Sequence, residues 1–323
     1  MKNIWKDGIL GVVTGDALGC PVEFDTREQV AGHPVAGMRG WGTFNLPSGS
    51  WTDDSSLTLA LLESIGRLKT IDLNDIMDNF VKWLYQGEFT PFHRSFDVGR
   101  GTMNAIRKFK ATRKPLKCGG YEEWNIGNGS LMRILPACLY CCEKQLSDQE
   151  AVSVIHQVGS LTHAHICCNI ACGLYYFMVK AILHEAGSLT ERLQSGLAHG
   201  FAYYQNALAD QEYVQRYDRL RDLALFASLP ADQIRSSGYV VDTLEAAVWS
   251  LLQTDSFDSA LLKAVNLGYD TDTVGAVTGG LAGLYYGWET IPKDWLNALQ
   301  RLNWISGLCE NVLNEPENET TEP

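Results

Sequence analysis

A chain of 323 residues with a formal net charge of −12 lacks the basic excess needed to neutralise phosphates, which excludes a nonspecific nucleic-acid binder. At this length a single domain buries roughly three quarters of its unfolded surface, so it needs no disulfide staples. The nine cysteines are an odd number sitting mostly in apolar helical runs; they read as reduced core thiols, with Cys138 and Cys141 a lone CxxC lacking the second pair of a zinc site, and they predict a cytoplasmic protein.

Ile4 to Leu18 carries apolar residues at helical spacing and ends in Gly-Asp-Ala-Leu-Gly, which predicts a helix with Asp16 late in it. The run is broken by Thr14, Gly15 and Asp16, so no signal peptide is expected. An acidic group near a helix C-terminus opposes the dipole, so Asp16 is either solvated or has a purpose. Glu23 follows between apolar neighbours. It is either a surface carboxylate beside a turn or a buried one whose raised pKa suits acid or base chemistry.

Glycines, prolines and absent periodicity predict a long loop from Thr26 to Ser50. Trp51-Thr52-Asp53-Asp54-Ser55-Ser56 then opens a helix to about Leu68, capped by Thr52 or Asp53. Leu73 to Gln86 is amphipathic with Gly87 as its stop, and Phe92 to Gly101 is irregular and contains Asp97-Val98-Gly99. Asn125 to Arg133 includes Gly127-Asn128-Gly129-Ser130. Such a stretch is an ordinary turn and cap, or a loop whose N–H groups cradle an anion with Arg133 adding charge.

Ser147 and Glu150 form a capping box for a helix to about Val158. His163 and His165 stand at the entrance of the next helix, where a histidine pair is more often solvated or core-bonded than metal-ligating. Ile166 to Leu183 contains Asn169 and Lys180 and reads as a buried helix, not a membrane span. Further helices are expected at Leu189 to Ala207, Tyr213 to Phe226, Val241 to Leu252 and Ser256 to Leu267.

Gly268 to Gly283 begins Gly-Tyr-Asp-Thr-Asp-Thr and continues as a glycine- and alanine-rich apolar run. Asp-Thr-Asp-Thr is what a helix cap looks like, but a second oxygen-rich cluster exists at Thr52 to Ser56. Carboxylates at roughly 4 Å repel by about 1 kcal/mol in water and about 4 kcal/mol in a protein site, so a protein gathering several holds a proton or a cation there. Oxygen ligands of this kind suit magnesium, calcium or manganese better than zinc. No strand alternation competes anywhere, so the fold class expected is all-α, one domain over residues 1–313, with a disordered acidic tail over 314–323.

With these pieces in order, the chain resembles the ADP-ribosylglycohydrolase family from about Gly8 to Gly287. The resemblance rests on Gly11 to Gly19, Trp51 to Ser55, Gly127 to Arg133, Leu161-Thr162-His163, Gly238 to Glu245 and Gly268 to Gly283. It implies a compact orthogonal multi-helix enzyme with two magnesium or manganese ions, cleaving an N- or O-glycosidic bond of ADP-ribose. It further implies Thr52, Asp53, Asp54, Asp270, Asp272 and Thr273 as metal ligands, and Glu23 and Asp97 as catalytic carboxylates. On the nucleotide side it implies Gly127, Asn128, Gly129, Ser130, Arg133, His163 and Tyr239. The expected partner is an ADP-ribosylated protein or another ADP-ribose conjugate, arginine being the leading acceptor, with no membrane or nucleic acid and no obligate partner. The alternatives are a non-catalytic ADP-ribose-binding or structural relative, a hydrolase acting on a small-molecule or nucleic-acid ADP-ribose conjugate, and an unrelated two-metal diphosphate enzyme, whose aspartates would repeat along helix faces.

Overall fold

The computed structural model describes residues 3–208 and 211–314; the expected tail lies outside the described residues except for Asn314. Among the described residues sixteen α-helices follow one another: α1 Ile4–Gly19, α2 Arg27–Gly32, α3 Asp53–Leu68, α4 Leu73–Gln86, α5 Arg100–Thr112, α6 Leu135–Glu143, α7 Asp148–Ser160 and α8 Ile166–His184, then α9 Leu189–Ala207, α10 Glu212–Gln215, α11 Leu223–Ala227, α12 Val240–Leu252, α13 Phe257–Val265, α14 Thr271–Tyr286, α15 Lys293–Ala298 and α16 Leu302–Asn311. Among the described residues there is no strand, only two isolated bridges, Gly120 with His163 and Gly127 with Tyr239. The all-α expectation holds.

The centre of the molecule is the antiparallel pair α1 and α14. Glycines recur on one stripe of α1 (Gly8, Gly11, Gly15, Gly19) and at every fourth position of α14 (Gly275, Gly279, Gly283). A Cβ at Gly11 would lie 2.1 Å from the Gly279 carbonyl oxygen, and one at Gly15 would lie 1.9 Å from that of Gly275. The two backbones therefore touch with no side chain between them. The contact runs on to Gly19, whose carbonyl accepts from the Thr271 hydroxyl at 2.8 Å. The C-terminus of α1 is thus fixed against the N-terminus of α14.

Around this pair the buried apolar residues form one continuous cluster from Trp5 to Val312. α8 is the described helix long and apolar enough to cross a membrane, but 78% of that stretch is buried inside the protein. It is a core helix, as its Asn169 and Lys180 foretell.

Two expectations about elements change. The loop from Thr26 to Ser50 contains α2, made by a capping box in which Thr26 and Gln29 satisfy each other's backbone N–H groups. Tyr213 to Phe226 is not one helix: it divides into α10, a single 3₁₀ turn at Asp218–Arg221, and α11. Asp222 turns extended there and its carboxylate accepts from the Leu225 N–H, starting a new helix instead of continuing the old one.

The α1–α14 contact yields a stability prediction. Gly15→Ala sets a methyl group against a carbonyl that cannot retreat, and overpacking of this kind costs about 3 kcal/mol or more. Gly32→Ala, with open space around its Cβ, is the control and should change stability by no more than about 0.5 kcal/mol. Urea unfolding midpoints of the two variants test this; similar midpoints would refute the tight crossing.

Candidate acidic metal and ligand site

Where α1 ends and α3 and α14 begin, the two aspartate clusters meet. The Thr273 hydroxyl donates to Asp54 Oδ2 at 3.3 Å, joining segments 219 positions apart in the chain. Asp53 and Asp54 lie in the first turn of α3 and Asp272 in the first turn of α14, so the positive ends of two helix dipoles face the same carboxylates. Asp270 occupies the α14 N-cap without a capping bond; instead it accepts from Asn128 Nδ2 at 2.8 Å. Oxygens of Glu23, Asp97 and Asp272 lie within 4.8 Å of one another.

Asp16 sits behind this group, fully buried. Its carboxylate accepts from the Thr52 N–H at 2.9 Å and hydroxyl at 3.1 Å, and from the Ser55 N–H at 2.9 Å and hydroxyl at 2.6 Å. The acid that looked misplaced at the end of α1 is the anchor for the start of α3. The Thr52 hydroxyl oxygen is thereby held between Asp16 and Asp54.

The loops that carry the remaining acids are tied to each other. The Phe24 N–H donates to the Tyr269 carbonyl and the Tyr269 N–H to the Asp25 carbonyl, both at 2.7 Å. Phe24, Asp97 and Tyr269 all adopt left-handed backbone, with φ of 69°, 49° and 65°. Such residues cost about 1 kcal/mol or more each and gather where a site is held rigidly.

Burial and mutual repulsion push these carboxyls up. Glu23 is raised far above its ordinary value by burial first, then by Asp272, Asp97, Asp270 and Asp53. Asp53, Asp54 and Asp272 are raised well above theirs for the same two reasons. Asp97 reaches about 6 through burial and Asp270, while Asp16 reaches about 7 through burial alone, its hydrogen bonds from Ser55 and Thr52 pulling down. Both oxygens of Asp272, Asp54 Oδ1 and Glu23 Oε2 are buried with no hydrogen-bonding partner among the described residues. Orphaned buried acceptors drawn only from carboxylates and hydroxyls fit a hard divalent cation, which would satisfy them and reverse the repulsion.

A cavity of about 610 Å³ opens in front of the acids. It is lined by Glu23, Asp53, Asp54, Asp97, Asp270 and Thr273, and also by Gly127, Asn128, Gly129 and His163. Trp124, 83% exposed, stands at its edge; no periodicity or motif marked it in advance. Three residues expected to touch a ligand are placed elsewhere. Ser130 is fully buried with its hydroxyl against Cys172 Sγ. Arg133 is fully buried over the Phe80 ring because Leu131–Arg133 is a 3₁₀ turn that sends the side chain inward beneath the loop. Tyr239 pairs with Gly127 through its backbone and turns its hydroxyl to Arg216, outside the cavity wall.

The ADP-ribosylglycohydrolase family model matches residues 5–322. The ADP-ribosylarginine hydrolase Tri1 of Serratia proteamaculans is 32% identical over 307 residues, covering 95% of this chain and 78% of the relative. The ADP-ribosyl-[dinitrogen reductase] glycohydrolase of Rhodospirillum rubrum is 32% identical over 292 residues, covering 90% of this chain and 88% of the relative. A solved structure titled ADP-ribosylglycohydrolase-related protein complex superposes with a TM-score of 0.77 at 30% identity, covering 96% of each chain.

The raised carboxyl pKa values fix the sign of a pH effect. A carboxyl raised on folding stabilises fully below its unfolded pKa, and that contribution is lost as pH rises through the folded value. Asp97, raised from 3.8 to about 6, therefore destabilises the chelator-treated wild type relative to Asp97→Asn between about pH 4 and pH 7. The difference should reach about 3 kcal/mol. Thermal melts in chelator across that range check it, and a gap that does not vary with pH would contradict it.

Proposed function

The chain belongs to the ADP-ribosylglycohydrolase family, and from that premise we propose that it releases ADP-ribose from a modified protein side chain, arginine being the acceptor. The observation that carries this reading is the meeting of the Thr52-Asp53-Asp54 and Asp270-Thr271-Asp272-Thr273 segments at a cavity of nucleotide size. Relatives named for arginine and for dinitrogen reductase support a protein substrate. In this reading Asp53, Asp54, Asp270, Asp272 and Thr273 hold two magnesium or manganese ions, with Thr52 completing the set from the α3 N-cap. Bound there, the ions supply Lewis acidity to the ribose hydroxyls and to water.

The chain's own residues divide the remaining work. Glu23, whose carboxyl is raised far above its ordinary value by burial first and then by Asp272 and Asp97, is the acid that donates a proton to the departing acceptor atom. Asp97, at about 6, is the carboxylate that takes the proton of the attacking water. Both act on an anomeric carbon that gains positive character as the glycosidic bond breaks, and the surrounding carboxylates favour that charge. The Gly127–Asn128–Gly129 stretch and His163 line the same cavity and bind the diphosphate. Arg133, Ser130 and Tyr239 stand behind that wall and shape it without contact.

We further infer one domain over residues 1–313, supported by the single apolar cluster, and a cytoplasmic compartment, supported by nine cysteines that are all free and buried.

Release of ADP-ribose from an arginine-ADP-ribosylated protein, with magnesium or manganese added, tests the proposal. Wild type should release it and lose the activity in chelator. Asp270→Ala should reduce release at least about a hundredfold, the size of loss expected when an electrostatic group at the reacting centre is removed. Metal-dependent ADP-ribose binding without release would move the acceptor away from arginine.

A further inference from the structure

Arg133 presents a problem that the catalytic reading does not solve. It is a guanidinium at 0% exposure, with no carboxylate beside it and with Nε and Nη1 lacking partners among the described residues. Only Nη2 is used: it donates to the Thr162 hydroxyl at 2.7 Å and to the Val158 and Gly159 carbonyls at 3.2 and 3.4 Å. The Thr162 hydroxyl in turn meets His163 Nδ1 at 2.9 Å. His163 belongs to the cavity wall, so a buried charge is linked through one hydroxyl to a residue facing the ligand.

The direction of each bond follows from what each group is able to do. Arginine only donates, so Thr162 Oγ1 must accept from it. The hydroxyl proton then has one acceptor within reach among the described residues, His163 Nδ1. The opposite arrangement, Nδ1–H donating to Thr162, would leave that hydroxyl proton buried and unused. Nδ1 is therefore bare and the ring proton sits on Nε2. The Nε2 edge faces glycines: a Cβ at Gly101 would lie 3.0 Å from Nε2, and one at Gly129 would lie 2.5 Å from Cε1. These two bare backbones leave the edge of the ring open to the cavity. Burial, aided by the Arg133 charge, holds the His163 pKa at about 3, so the ring stays neutral and keeps its single proton.

We propose that Arg133 is a positioning residue that acts through Thr162 to fix His163 as the Nε2–H tautomer, presenting one directed donor to the diphosphate of the ligand. The identity of that ligand rests on the function proposed above; the tautomer does not. A buried cation is retained because only a pure donor forces the hydroxyl to point one way.

Full-length protein carrying isotope-labelled histidine tests both parts. The ring nitrogens of His163 are identified by their loss in His163→Gln. The wild-type spectrum should show a proton on Nε2 alone, unchanged from about pH 5 to pH 8. Thr162→Val should give mixed or reversed tautomers and weaken ADP-ribose binding, measured with magnesium present, by about tenfold. Thr162→Ser should restore both. A proton on wild-type Nδ1, or a Thr162→Val tautomer identical to wild type, overturns the relay. The expected tautomer in a wild type that binds no ADP-ribose supports the relay and overturns the reading of the ligand.

Discussion

The backbone contact between α1 and α14 is the constraint on which the site depends. Gly11, Gly15 and Gly19 on one helix and Gly275 and Gly279 on the other allow an approach that any side chain would prevent. Because the helices run antiparallel, the contact sets the last turn of α1 beside the first turn of α14. Asp16 and Glu23 therefore arrive next to Asp270 and Asp272 although some 250 residues separate them. α3 is then drawn in by Asp16, whose carboxylate accepts from four donor groups of Thr52 and Ser55 at its start. One close crossing and one buried carboxylate suffice to assemble three chain segments.

The assembly costs stability, because carboxylates are gathered out of water at separations where they repel. Two features offset this. The first turns of α3 and α14 direct positive dipole ends at the acids, and the tight glycine core beneath them cannot relax to let the acids separate. The tied loops at Phe24 and Tyr269 close the third side. The arrangement thus stores repulsion that a proton or a cation relieves, which is how a site selects its occupant by charge.

Most of this was legible because it is written locally. Helical periodicity, capping boxes and glycine stops place α3, α4, α7, α8, α9, α12 and α13 within a few residues. The convergence of the aspartate clusters was readable only from the order of several motifs together. What the sequence does not carry is side-chain direction in irregular backbone. Arg133 and Ser130 lie in a polar-looking loop, yet the 3₁₀ turn at Leu131–Arg133 sends the arginine inward. The left-handed backbone at Asp97 is set by packing from distant segments and has no local signature, since neighbouring Gly99 would have been the expected choice. Tyr213 to Phe226 fails for the opposite reason: its apolar spacing suits a helix, but Asp222 prefers to cap one.

The two buried ionisable groups outside the reacting group, Asp16 and Arg133, solve the same problem with opposite signs. A hydroxyl is directionless until one of its neighbours is unable to exchange roles. Asp16, when ionised, only accepts, so the Thr52 hydroxyl donates to it and keeps its lone pairs for the Asp54 N–H and for whatever occupies the acidic cluster. Arg133 only donates, so the Thr162 hydroxyl accepts from it and spends its proton on His163. The acidic cluster is thereby arranged to offer oxygen lone pairs and His163 to offer a proton. A ligand with hydroxyls for a cation and anionic oxygens elsewhere matches that polarity, and the match is imposed from behind the wall by groups that never touch it.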